Sequence, residues 1–116
     1  MQALAAHSGA AQGVIIATPV YNYDANAAAK NLVELTGRAW TGKVVGFICA
    51  AGGTSSYMSV LGLANSLMLD FRCHIVPRVV YAPEAEAEDA EFGEAAIAKR
   101  IEALAAEFLR LTAALG

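Results

Sequence analysis

Three short segments carry the residues best suited to chemistry. They are Pro19-Val20-Tyr21-Asn22-Tyr23-Asp24, Ala51-Gly52-Gly53-Thr54-Ser55-Ser56 and Tyr81-Ala82-Pro83. In the first, a proline fixes the backbone and presents Tyr21 as an apolar wall, with the Asn22 amide as donor and acceptor at its border. In the second, Gly52 and Gly53 allow close backbone approach, and their N–H groups precede a predicted helix N-terminus, where electronegative oxygens are favoured. Together they suit a flat ligand with a polar edge. A purely structural reading uses the same residues: Asp24 or Asn26 caps the next helix, Tyr21 packs on a neighbour and the glycine pair makes a tight turn.

The surrounding pattern supplies elements to hold these segments. Residues 13–18 (GVIIAT), 43–50 (KVVGFICA) and 74–80 (HIVPRVV) are short, β-branched apolar runs without strict alternation, as strands covered on both faces require. Helical patterns occupy residues 26–36, 56–71 and 91–115. Strands separated by helices predict a parallel sheet with right-handed crossovers, an open α/β fold in three α/β/α layers. Each informative segment follows a strand, and ligands of such folds bind beyond the carboxyl ends of the strands. Pro77 cannot donate to a ladder, so residues 74–80 are expected at a sheet edge.

Composition narrows the function classes. The 116 residues suit one domain, spanning 1–116, and 57% of them are hydrophobic, yet no apolar run reaches the ~20 residues of a membrane span. No basic region precedes a long apolar segment, so no secretory signal is read and the cytoplasm is the expected location. The net charge of −3 without a basic cluster argues against nucleic acid. Cys49 and Cys73 lack disulfide-framework or metal-ligand spacing and are expected as buried thiols. His7 and His74 are isolated, and Ser55 and Ser56 lack a hydrolase nucleophile context. No metal site and no catalytic acid, base or nucleophile is assigned. The acidic run 83–94 reads as a solvated approach to a helix N-terminus.

The motif T-P-V-Y-N at Thr18 to Asn22, the Lys30-Asn31 pair on the next helix and the later Ala51-Gly52-Gly53 resemble the NAD(P)H-dependent FMN reductase family. The resemblance covers essentially the whole chain. It implies a flavodoxin-like open parallel sheet, FMN as cofactor, NAD(P)H as reductant and a quinone, free flavin or similar small molecule as electron acceptor. By the same resemblance Thr18, Pro19, Val20, Tyr21 and Asn22 pack around the isoalloxazine ring, and Gly52, Gly53 and Thr54 meet its pyrimidine edge. Members of the family begin with a strand, a phosphate-binding loop, a helix and a second strand ahead of the segment that starts this chain. The resemblance therefore implies an N-terminally truncated sheet with the last three strands of the order 2-1-3-4-5, residues 13–18 forming a new edge. A non-catalytic remnant or assembly module that no longer retains FMN is the alternative.

The last two helices differ in their apolar faces. Ile97, Ile101, Leu104, Phe108, Leu111 and Leu115 form one stripe, expected to face the core. On the helix from Tyr57 to Phe71, apolar residues cover more than half the circumference, leaving Ser59, Ser66 and Asp70 as a polar strip. That breadth, with the oligomers the family resemblance implies, predicts a homo-oligomer formed through this helix.

Overall fold

The computed structural model describes residues 11–21, 24–53, 58–83 and 93–115. Strand β1 (Gly13–Tyr21) is followed by β2 (Asp24–Ala25), helix α1 (Ala27–Thr36), a 3-10 turn (Gly37–Trp40), β3 (Val44–Ala51), α2 (Leu61–Phe71), β4 (His74–Ile75), β5 (Val80–Pro83) and α3 (Glu94–Leu115). β3 lies at the centre. It pairs in parallel with β1 on one side, from Gly13 opposite Val44 to Pro19 opposite Ala50. On the other side it pairs in parallel with β4 and then β5. The open parallel α/β sheet expected from the sequence is therefore present, with residues 74–83 along one edge.

Three boundaries differ from expectation, each for a local reason. β1 runs on through Tyr21, because Val20 and Tyr21 pair antiparallel with Ala25 and Asp24 in a tight hairpin. The expected single strand 74–80 is two segments: Val45 faces Ile75 and Ile48 faces Val80, so four residues of the edge strand span two of β3. Pro77 sits inside this bulge, where its missing N–H breaks no ladder bond. The Val76 N–H still reaches the Val45 carbonyl at 2.8 Å before the strand leaves the sheet. Finally, α2 begins at Leu61 rather than near residue 56: residues 58–60 form a turn with Met58 at φ 66°, and Tyr57 is outside the described residues.

Neighbouring positions along each strand send side chains to opposite faces, which divides the core in two. On one face Ile16, Val45, Phe47 and Cys49 meet Ala29 and Val33 of α1 and Leu63, Ala64 and Leu67 of α2. Trp40 is fully buried at its margin, donating from Nε1 to Thr36 Oγ1 at 2.6 Å, while Thr36 Oγ1 lies 2.6 Å from the Leu32 carbonyl. On the other face Val44, Val76, Val80 and Leu104 form a smaller cluster, with Ile48, Ile97, Phe108 and Leu111 partly buried against it. Here α3 rests almost on bare backbone. A Cβ at Gly46 would lie 3.0 Å from Leu104 Cδ1, and one at Gly13 would come within 2.8 Å of the Phe108 ring and the Val44 carbonyl.

The apolar stripe expected on α3 is only partly core. Leu104 is buried, but Ile101 is 40% and Leu115 52% exposed. Among the described residues, no helix is long and apolar enough to cross a membrane.

Candidate functional site

Because Pro19 lies opposite Ala50 in a parallel pair, the segments leaving β1 and β3 emerge at the same rim of the sheet. The sequence expectation that Pro19 to Tyr21 and Gly52-Gly53 share one edge is met by this register. Within the first segment the side chains part company. Thr18 is 3% exposed, and Val20 is half-buried against the larger core, so neither forms an open wall. Pro19 is half-buried, and Tyr21 stands 62% exposed at the rim. Asn22 lies outside the described residues.

Thr18 does structural work under this rim. Its hydroxyl lies 3.0 Å from the Pro19 carbonyl and 3.2 Å from Asn26 Oδ1. Asn26 Oδ1 in turn accepts the Ala29 N–H at 2.9 Å, which makes Asn26 the N-cap of α1. The capping role read from sequence as a structural alternative for Asn26 thus operates, and it ties the helix start to the end of β1. Tyr21 projects from a strand anchored in this way.

The glycine segment is built from the opposite side. Gly52 is exposed and Gly53 half-buried, and neither adopts a positive φ. A Cβ at either position would meet no protein atom within 4 Å. Neither left-handed backbone nor crowding by the protein therefore requires glycine here; the missing side chains leave clear space before the backbone. The Tyr81 hydroxyl donates to the Gly53 carbonyl at 2.5 Å, and its ring is 2% exposed opposite Cys49 in the sheet. Sequence reading missed this tether. Its signal was a tyrosine in an otherwise aliphatic strand, since a buried phenol needs a partner for its O–H. Thr54 lies outside the described residues.

Neither of the two buried cysteines offers a reactive thiol. Burial pushes the Cys49 thiol up to about 11, so it is no nucleophile at neutral pH. The Cys73 thiol is likewise raised by burial and lies 3.0 Å from the Trp40 carbonyl. Among the described residues no group of three or more His, Cys, Asp or Glu side chains is placed to hold a metal. What the rim offers is an exposed aromatic ring, open backbone and rigid supports. A second cleft, of about 580 Å³, lies at the bulged edge, lined by Leu61, Met68, Val76, Pro77, Arg78 and Arg100 among others. It belongs to α2, α3 and the edge strand, away from the residues singled out by sequence.

A family model described as NADPH-dependent FMN reductase matches residues 1–87. Among solved structures, an oxidoreductase from Corynebacterium diphtheriae superposes with a TM-score of 0.83 at 22% identity, over 99% of this chain and 63% of that one. The apo form of an NADH:FMN oxidoreductase (EMOB) gives 0.75 at 15% identity, over 94% of this chain and 58% of that one. A flavodoxin, WrbA-like protein from Agrobacterium tumefaciens gives 0.71 at 15% identity, over 96% and 72% respectively. These likenesses establish the flavodoxin-like fold, and the chain spans less than two thirds of the length of the first two structures. Comparison with curated proteins gave no match.

Proposed function

We propose, from the premise that this chain belongs to the NADPH-dependent FMN reductase family, that its rim holds the isoalloxazine ring of FMN and serves electron transfer from NAD(P)H to a small acceptor such as a quinone or free flavin. The observation that carries this reading is the pairing of an exposed Tyr21 with an unobstructed, tethered glycine segment at one end of adjacent strands. A flat ring needs one apolar wall and a close, donor-rich backbone. These residues fit the ring, and no phosphate contact is assigned to them. Bound FMN would supply the redox chemistry, taking a hydride and releasing electrons.

The chain's own residues position and expose. Pro19, Tyr21 and Asn22 would form one side of the ring site, with Thr18 and Val20 anchoring that side in the protein. Gly52, Gly53 and Thr54 would form the other, and the Tyr81 to Gly53 hydrogen bond limits movement of the glycine segment. Thr18 and Asn26 hold the first wall at a fixed height above the sheet. No side chain is assigned a proton transfer. Exposure of Tyr21 leaves the site open to solvent, so nicotinamide and acceptor would approach from outside rather than through a dedicated dinucleotide loop.

Self-association through α2 accompanies this proposal. Leu61 is 51%, Met68 37% and Leu69 70% exposed, an apolar surface suited to a second copy. The two free, buried cysteines accord with a cytoplasmic setting. The alternative of a non-catalytic assembly module that no longer retains FMN draws on the sparsely covered face under α3. Titration of the chain with FMN, followed by flavin fluorescence, tests the site. Tyr21→Ala is expected to weaken binding about fivefold, the loss of roughly 1 kcal/mol of aromatic contact. Equal affinity in variant and parent removes the ring from this rim. Absence of measurable FMN binding by the folded parent chain selects the module reading.

A further inference from the structure

The cleft at the bulged edge differs in character from the rim. It opens where the edge strand leaves the sheet between Ile75 and Val80, with α2 on one face of the sheet and α3 on the other. Val60, Ala64, Val76 and Val80 line it as buried apolar side chains. Leu61 and Met68 of α2 line it as exposed ones, and Ala103 faces it from α3. At about 580 Å³ it falls within the ~300–1,000 Å³ of sites for small organic ligands. Every described lining residue is apolar except Arg78 and Arg100, and no acid is among them.

We infer that this cleft binds a small amphiphilic monoanion, a carboxylate on a medium-length apolar body, with its acid group on the Arg78 guanidinium. Charge complementarity selects that occupant. A guanidinium keeps its proton at any ordinary pH, so a wholly apolar ligand that excluded water from it would leave a charge unpaired. A carboxylate matches its fork through two parallel hydrogen bonds. Arg78 is exposed, and among the described residues no carboxylate lies within 4 Å of it. The Glu107 carboxyl is held low first by its hydrogen bonding to Arg110 and less by the charge of Arg78. Both of its oxygens accept from Arg110, at 2.5 and 3.1 Å. Arg100, half-buried on α3, adds a second positive charge to the lining.

The same lining disfavours other occupants. A sugar or nucleotide brings hydroxyls and ring nitrogens, and besides the two arginines the described lining offers them no polar side chain, so their desolvation would go uncompensated. An added β-strand needs an unbroken edge, whereas the bulge separates His74–Ile75 from Val80–Pro83 here. A second copy docking along α2 would also engage Leu69, which lies outside this cleft beside Asn65 and Ser66. Ligand binding and self-association therefore answer to different residues.

Isothermal titration calorimetry of the intact 116-residue chain with decanoate, set against decanol, tests the inference without reference to flavin. One-to-one binding of decanoate is expected, at least tenfold tighter than that of decanol. Arg78→Gln is expected to weaken decanoate about tenfold and to change decanol little. Ala103→Phe, which fills the cleft from α3, is expected to weaken both at least tenfold. Arg38→Gln removes an exposed arginine outside the cleft and leaves both affinities unchanged, as does Leu69→Lys. Circular dichroism of each variant separates lost binding from lost folding. Absence of decanoate binding by the folded parent chain, equal affinity for decanoate and decanol, or equal losses in Arg38→Gln and Arg78→Gln overturns the inference. So does a homodimer, seen by light scattering, that Met68→Lys dissociates and decanoate leaves intact, since a second copy then fills the cleft.

Discussion

The two faces of one sheet are built to different standards. Under α1 and α2, fourteen buried residues among those described form one cluster that includes Trp40 and Phe47, both fully buried. Under α3, the corresponding cluster has four, and Ile15 and Ile101 beside it remain partly in water. The contrast teaches where each task lies: the first face carries most of the packing that stabilises the fold, while the second is sparsely packed and leaves apolar side chains accessible.

Substitutions can break or sharpen this contrast. Phe47→Ala removes a fully buried ring from the larger core and is expected to cost about 4 kcal/mol in denaturant unfolding. Leu104→Ala, at the centre of the smaller cluster, is expected to cost about 2.5 kcal/mol, because its sparse surroundings can collapse more readily. Equal losses would mean that the two faces contribute alike. Asn26→Ala deletes the cap of α1 and its link to Thr18, with an expected loss of about 1 kcal/mol measured in the same way. Gly46→Ala places a methyl 3.0 Å from Leu104 Cδ1, the far end of a flexible side chain that can give by a few tenths of an ångström. A cost near 1 kcal/mol is expected, and a much larger one would show α3 to be as tightly seated as α1 and α2.

The smallest effect is one of pH. The Cys49 thiol is raised from 9.0 to about 11 in the fold, so the unfolded chain ionises first. Its contribution to stability is full below pH 9 and is lost as pH rises through the window from 9 to about 11. Denaturation midpoints measured across that window should fall, and should fall less in Cys49→Ala. A rise with pH would contradict burial of this thiol in the larger core.

The same contrast explains what could be read before the structure. The larger face follows alternation and helix spacing closely: Ile16, Val45 and Phe47 meet Val33, Leu63 and Leu67 as a continuous core requires. The start of α1 was legible because Asn26 is a favoured cap ahead of an alanine-rich run. The stripe on α3 was legible as a pattern but not as burial, since Ile101 and Leu115 have the spacing of core residues yet stay 40% and 52% exposed. At the site, Pro19, Tyr21 and the glycine pair announced themselves by residue type, whereas Tyr81 acts through a hydrogen bond across 28 positions of chain that no local pattern encodes. The edge position of residues 74–80 was legible from Pro77, whereas the break there and its two extra residues depend on where β3 pairs again, a tertiary property.

The position of β3 also bears on how the chain folds. Each parallel ladder includes this strand, so neither β1 nor β5 can acquire parallel partners before it is in place. Two crossover units can nucleate around it, one complete as soon as residues 13–51 have left the ribosome and the other needing residues 44–83. The first brings together strands joined by the short α1 and its following turn, and closes early during synthesis. The second must wait for the bulged edge strand to find its register twice. Amides of Val44 to Ala51 should consequently be the last to exchange, and fraying should begin at His74 to Pro83 rather than at the centre.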